Sequence, residues 1–105
     1  MSAYLISQVQ IIDPAAWEKY REIAAPAIAK YGGRYLARGV VPEVVEGDWP
    51  VDQPPEQQVI VAEFPDIDAL HRWYSSKEYA PALEYRRTAV KRRLLFVRGV
   101  DEVLR

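Results

Sequence analysis

The sequence predicts an α+β fold of the ferredoxin-like kind, βαββαβ, with a four-stranded antiparallel sheet that pairs with a second copy into a dimeric α/β barrel. Three observations carry this. Strand-like and helix-like stretches follow one another as β-α-β, an irregular arm, then β-α-β, which is one supersecondary unit used twice. Charge is sorted among the strands: the first has none and the third only Glu63, whereas the second and fourth hold Arg34, Arg38, Arg92, Arg93 and Arg98. In this topology the first and third strands are central and the other two are edges, where charge keeps soluble sheets from adding to one another. Finally, both faces of the first strand are apolar. Helices cover one face, so the other needs a second copy of the chain.

The first strand is read over Ala3 to Ile12, with Leu5, Val9 and Ile11 on one face and Tyr4 and Ile6 on the other. Asp13-Pro14 starts a helix, Asp as cap and Pro at the first helical position. That helix runs to about Tyr31 and stops at Gly32-Gly33. Ala16, Tyr20, Ile23, Ala24, Ala27 and Tyr31 form its apolar stripe, with Trp17 and Ile28 at the flanks. Pro26 removes one of its hydrogen bonds and predicts a kink near residues 22–25.

The second strand is Arg34 to Gly39. Residues 40–57 then form an irregular arm or lid with four prolines, in which only Val44-Val45 is strand-like and Trp49 has no obvious core to join. The third strand is Gln58 to Phe64. A helix follows from Asp66, with Ile67, Leu70 and Tyr74 on its core face and His71 and Trp73 at the edges. Ser75 to Glu78 matches a capping box. A last helix runs from Pro81 to Lys91, Arg92 to Val100 is the fourth strand, and Asp101–Arg105 is a tail.

Composition narrows the function classes. The 105 residues suit one domain, 1–105, and 50% hydrophobic with 28% charged residues is ordinary globular composition. A net charge of −1 argues against a nucleic-acid partner, which calls for a basic excess. Cysteine is absent, so disulfides, thiolate nucleophiles and cysteine metal sites are excluded. The N-terminus lacks a basic region, and no apolar run approaches the roughly 18 residues that span a bilayer. A cytoplasmic protein without a membrane partner is expected.

Two charges stand where the pattern reserves space for apolar residues. Arg86 falls in the middle of the last helix's stripe of Ala82, Leu83, Ala89 and Val90, either snorkelling to solvent or held inside for a carboxylate or an anionic ligand. Glu63 is the one charge in a central strand. It either pairs with a neighbouring arginine such as Arg34, or it sits in an apolar cleft as a general base with a raised pKa. His71, the single histidine, has Ser75 rather than a ligand four residues on, so no metal site is expected. No nucleophile elbow and no glycine-rich phosphate loop occur, and no cofactor is expected. The run Arg86-Arg87 with Lys91-Arg92-Arg93 reads as a solvated face.

The segments Gly32-Gly33-Arg34-Tyr35-Leu36-Ala37-Arg38-Gly39, Glu46-Gly47, Glu63-Phe64-Pro65, Ala69, Trp73-Tyr74, Ser76-Lys77-Glu78-Tyr79 and Arg86, in that order across nearly the whole chain, resemble the small bacterial family of unknown function numbered 1330. Val40, where the family pattern often has another glycine, and the arm after Gly47 depart from it. The resemblance implies a dimeric α/β barrel. Related barrels include cofactor-free monooxygenases, lactone isomerases and haem-degrading enzymes, with sites between sheet and helices.

Together these readings lead to a homodimer that takes a compact organic ligand, with a carboxylate among the candidates, in a sheet–helix cleft. Arg38 or Arg86 would hold the anion, Glu63 or His71 would be the catalytic group, and Trp73, Tyr74 and Tyr79 would form walls. Any catalysis would be cofactor-independent, of monooxygenase or isomerase type. The alternative is a structural or regulatory dimer that engages a partner through the arm.

Overall fold

A computed structural model of the protein describes residues 1–47 and 57–100. Trp49, Pro50, Pro54, Pro55 and the tail Asp101–Arg105, on which expectations for the arm and C-terminus rested, lie outside the described residues.

The elements are β1 (Ala3–Ile11), α1 (Pro14–Lys30), β2 (Arg34–Val40), β3 (Gln57–Phe64), α2 (Ile67–Tyr74), α3 (Ala80–Ala89) and β4 (Val90–Arg98). The sheet order is β2-β3-β1-β4 and every pairing is antiparallel. The uncharged strand and the Glu63 strand are thus central, and the arginine-bearing strands are the edges. Burial follows the pleat: Ala3, Leu5, Ser7 and Val9 of β1 are buried, while the residues between them are half-buried. The buried set faces the helices and joins Ala62 and Phe64 of β3 and Val90 of β4 in one core. The helices add Trp17, Tyr20, Leu70, Trp73 and Tyr79 to it. α1 packs mainly along α3, and α2 lies across β1, β3 and β4.

The opposite face is uncovered in a single chain. In the register Tyr4, Ile6 and Gln8 lie between Glu63, Val61 and Val59 on one side and Val97, Leu95 and Arg93 on the other. Leu95 is 39% and Val97 41% exposed. Residues 42–46 border a depression on this side beside Gln8 and Val59. Val44-Val45 forms no strand, and Val45 is almost fully exposed.

Local chemistry explains the turns that set the site. Asp13 accepts hydrogen bonds from the Ala15 and Ala16 amides and caps α1, which continues through Pro26 without interruption. Gly32 has φ +87°, the left-handed turn that stops the helix. Gly33 has no room for a side chain: a Cβ there would lie 2.6 Å from Ile28 and 2.7 Å from the Phe64 ring. The Phe64 ring at the end of β3 therefore packs directly on the backbone just after α1.

Three readings differ from expectation. Ser76, not Ser75, caps the turn that leads into α3: its hydroxyl accepts from the Tyr79 amide at 3.0 Å and donates to the Trp73 carbonyl at 2.7 Å. Ser75 instead bonds back to the His71 carbonyl, and Glu78 reaches across to Lys30 and Tyr31 of α1. In α2 the buried residues are Ala69, Leu70 and Trp73, so Trp73 is core and Tyr74, 39% exposed, is the edge residue. β4 starts at Val90, opposite Ile11, two residues earlier than expected.

Candidate functional site

A cavity of about 140 Å³ lies between α1 and the helix-facing side of the sheet. β1 contributes Leu5 and Ser7 to its lining, and β3 contributes Gln58 and Ile60. From α1 come Trp17, Tyr20, Arg21, Ala24 and Ile28. β2 adds Tyr35, Arg38 and Gly39, and the remaining wall is Trp73 of α2 and Arg92 of β4. Among the described residues no aspartate, glutamate or histidine lines it.

Arg92 is the centre of the polar wall. Arg92 lies opposite buried Val9 and shares the parity of Leu94 and Phe96, so it points to the helix side. Its Nη1 donates to the Tyr20 hydroxyl at 2.7 Å and its Nη2 to the Tyr79 hydroxyl at 3.1 Å. The two phenols are themselves hydrogen-bonded at 2.9 Å. Burial opposes the Arg92 charge, but Tyr20 and Tyr79 outweigh that effect and leave its pKa above the ordinary arginine value. Burial, then the neighbouring Tyr20, pushes the Tyr79 phenol well above the usual tyrosine value, although Arg92 pulls the other way. The Tyr79 phenol stays neutral and the guanidinium stays charged at neutral pH.

Arg38 lies at the exposed mouth, its guanidinium 4.5 Å from the centre of the Tyr35 ring. Burial raises the Tyr35 pKa as well. Arg21 is exposed and pairs with Glu18 at 3.8 Å. The ion pairs among the described residues are Arg21–Glu18, Lys30–Glu78 and Arg34–Glu63, so neither Arg92 nor Arg38 has a carboxylate partner there. Two buried lining atoms, Ser7 Oγ and Trp73 Nε1, have no hydrogen-bond partner among the described residues.

Of the residues singled out in the sequence, Arg38 and Trp73 line the cavity, and Tyr79 stands behind it holding Arg92. Glu63 does not reach it. It sits on the opposite face of the sheet, where Arg34 Nε donates to it at 2.9 Å and the Tyr4 hydroxyl at 3.3 Å. Arg34 first, then Tyr4 and Ser2, hold its pKa below the usual carboxylate value against the effect of burial, the reverse of the raised pKa expected of a base. Glu63 borders a more open depression with Ser2, Arg34 and Pro65, where its charge is already matched. His71 is exposed and meets the Phe96 ring edge-on at 5.3 Å, outside the cavity. Tyr74 also packs on Phe96. Arg86 is half-buried on α3 with Nε unpartnered, and it neither lines the cavity nor faces Glu63.

Arg92, Tyr20 and Ser7 went unnoticed as site residues in the sequence. The signal for Arg92 was parity: Arg92, Leu94 and Phe96 alternate onto one face with Val90. Ser7 likewise interrupts the apolar face of Leu5 and Val9. Among the described residues no group of three acidic, histidine or cysteine side chains is placed to hold a metal ion.

The model of the family described as a domain of unknown function, DUF1330, matches residues 2–100. Among solved structures, the chain is similar to a protein of unknown function from Rhodopseudomonas palustris, with 21% identity and a TM-score of 0.76 over 95% of this chain and 83% of that one. It is also similar to SnoaB, a cofactor-independent oxygenase from Streptomyces nogalater, with 16% identity and a TM-score of 0.67 over 97% and 96% of the two chains. At these identities the likeness is one of fold. No curated protein matches the chain significantly.

Proposed function

The chain belongs to the DUF1330 family, and from that premise we propose that it is a homodimer that binds a compact organic anion, a carboxylate, between α1 and the sheet and performs cofactor-independent chemistry on it. The observation that carries this reading is Arg92: a guanidinium fixed by two phenols, at the wall of a cavity that no carboxylate lines among the described residues. A charge taken out of water without a counter-ion favours any anion that can reach it. Arg38 at the mouth adds a second positive charge. The volume suits a group about the size of benzene, and the walls of Trp17, Tyr20, Tyr35 and Trp73 favour a flat one.

Donors aimed at a developing anion are the general device for stabilising an enolate or phenolate. Among the described residues the lining holds no imidazole or carboxylate, and the side chains it does hold are suited to stabilising negative charge. The fold shared with a cofactor-independent oxygenase accords with oxygenation of such an anion. Dimerisation would cover the far face of the sheet, where Leu36, Val40, Leu95 and Val97 are exposed. No helix among the described residues is long and apolar enough to cross a membrane, and cytoplasmic location stays part of the proposal.

The test is calorimetric titration with benzoate of the wild type and of the Arg92→Met and Arg38→Met variants, with native mass spectrometry for subunit number and any retained molecule. Micromolar to millimolar binding that falls at least tenfold in Arg92→Met supports the reading. Absence of binding, or binding indifferent to both arginines, overturns it.

A further inference from the structure

Ser7 and Trp73 are 2% and 0% exposed. Both line the cavity, and Ser7 Oγ and Trp73 Nε1 lack hydrogen-bond partners among the described residues. Buried polar groups in folded proteins are nearly always paired, and an unpaired one is costly. Neither side chain is placed to find a partner elsewhere. Trp73 is wedged between Tyr79, with ring centres 4.3 Å apart, and Phe64 at 5.9 Å. Ser7 sits in the middle of a central strand, opposite Ile60 on one side and Leu94 on the other. Their missing partner has to be something that enters the cavity.

Chemistry restricts that partner. The indole N–H only donates, so it needs an acceptor, and a serine hydroxyl donates to an acceptor equally well. The acceptor is distinct from the anionic group, which the guanidinium groups of Arg92 and Arg38 attract. Taking the anion-binding reading above as its basis, we infer that the cavity selects a single-ring carboxylate carrying a second, uncharged acceptor oxygen, a hydroxy- or oxo-carboxylate, whose extra oxygen meets Ser7 Oγ and Trp73 Nε1. The recognition is two-point. Arginine holds the charge, and the serine and tryptophan read the second oxygen.

The experiment compares benzoate with 2-, 3- and 4-hydroxybenzoate on the full-length wild type and on Ser7→Ala and Trp73→Phe, by calorimetry and tryptophan fluorescence. The best hydroxybenzoate is expected to bind about tenfold more tightly than benzoate, the scale of one well-made buried hydrogen bond. Each variant should reduce that preference to about threefold or less, and Ser7→Ala, which leaves every aromatic wall in place, should keep benzoate affinity within about threefold. Ser7→Ala also has a readout without ligand: deleting an unpartnered hydroxyl should raise the melting temperature by about 4 °C. It keeps the inference testable if Trp73→Phe folds poorly. Benzoate binding with no gain from any added hydroxyl, or a preference that survives Ser7→Ala, overturns this inference and leaves the anion site standing. Failure of every carboxylate to bind overturns both.

Discussion

The Arg92 guanidinium donates to the Tyr20 hydroxyl at 2.7 Å and so ties the last strand to the first helix across 72 residues of sequence. The same group donates to Tyr79, which places three elements around one charge. Such a bridge needs a planar fork with separate donors, and an ammonium on a flexible stem does not reproduce it. Arg92→Lys is therefore expected to retain the fold and lose at least about tenfold in benzoate affinity. Equal affinity in calorimetry would refute the role given to the fork.

Glu78 gives the protein an acid-sensitive clamp. Lys30 first, then the Tyr31 hydroxyl at 2.8 Å, holds its carboxyl down to about 2 from an ordinary 4.5. A depressed folded pKa means stability present above the unfolded value and lost as pH falls from about 4.5 toward 2. Glu63, lowered by Arg34, acts in the same direction. Glu78→Gln should melt below wild type at neutral pH and approach it at the acid end. Parallel melting curves against pH would exclude the clamp.

Tyr79 works at the other end of the scale. Burial raises its pKa, so the folded phenol stays protonated where an unfolded tyrosine ionises, near about pH 10. Its stabilisation is complete below that value and is lost as pH rises above it. In an alkaline titration followed by phenolate absorbance, Tyr79→Phe should remove one late-titrating group. A variant with the same late amplitude as wild type would show that Tyr79 is not that group.

At Gly33 a methyl group would press on Ile28 and Phe64. Gly33→Ala is expected to cost about 1–3 kcal/mol through overpacking, measured by urea denaturation. A neutral result would mean that α1 can move off the sheet.

The exposed far face makes a separate prediction. Leu95→Asp sets a charge among Ile6, Val61 and Val97 without touching the cavity side. If two chains cover that face, native mass spectrometry should show the variant as a monomer and wild type as a dimer. A dimeric variant would place the contact elsewhere.

The topology was legible because strand parity and charge sorting are long-range signals: nine residues of β1 without one charge leave few alternatives. The candidate site was less legible. Reading Arg92 with Lys91 and Arg93 as one charge run hid its parity with Leu94 and Phe96, which turns it inward. Glu63 drew attention as a charge in a central strand, yet pleating directs alternate residues to opposite faces, and its parity with Tyr4 places it away from the helices. In the short α2, Ala69 counts as core, and including it turns the stripe toward Trp73 and away from Tyr74. Ser7 shows in the sequence as a break in the apolar face of Leu5 and Val9, but that Ser7 and Trp73 lack partners shows only once the chain is packed.

The immediate passage from Ala89 of α3 to Val90 of β4 has a bearing on how this chain can vary. Since there is no loop between them, an inserted or deleted residue at that junction has nowhere to be absorbed and moves the strand by one place. Lys91 or Arg93 would then turn inward in place of Arg92, and Leu94 and Phe96 would leave the core together. A replacement along β4 therefore affects one position, whereas a single-codon length change before Arg92 abolishes site and core in one step.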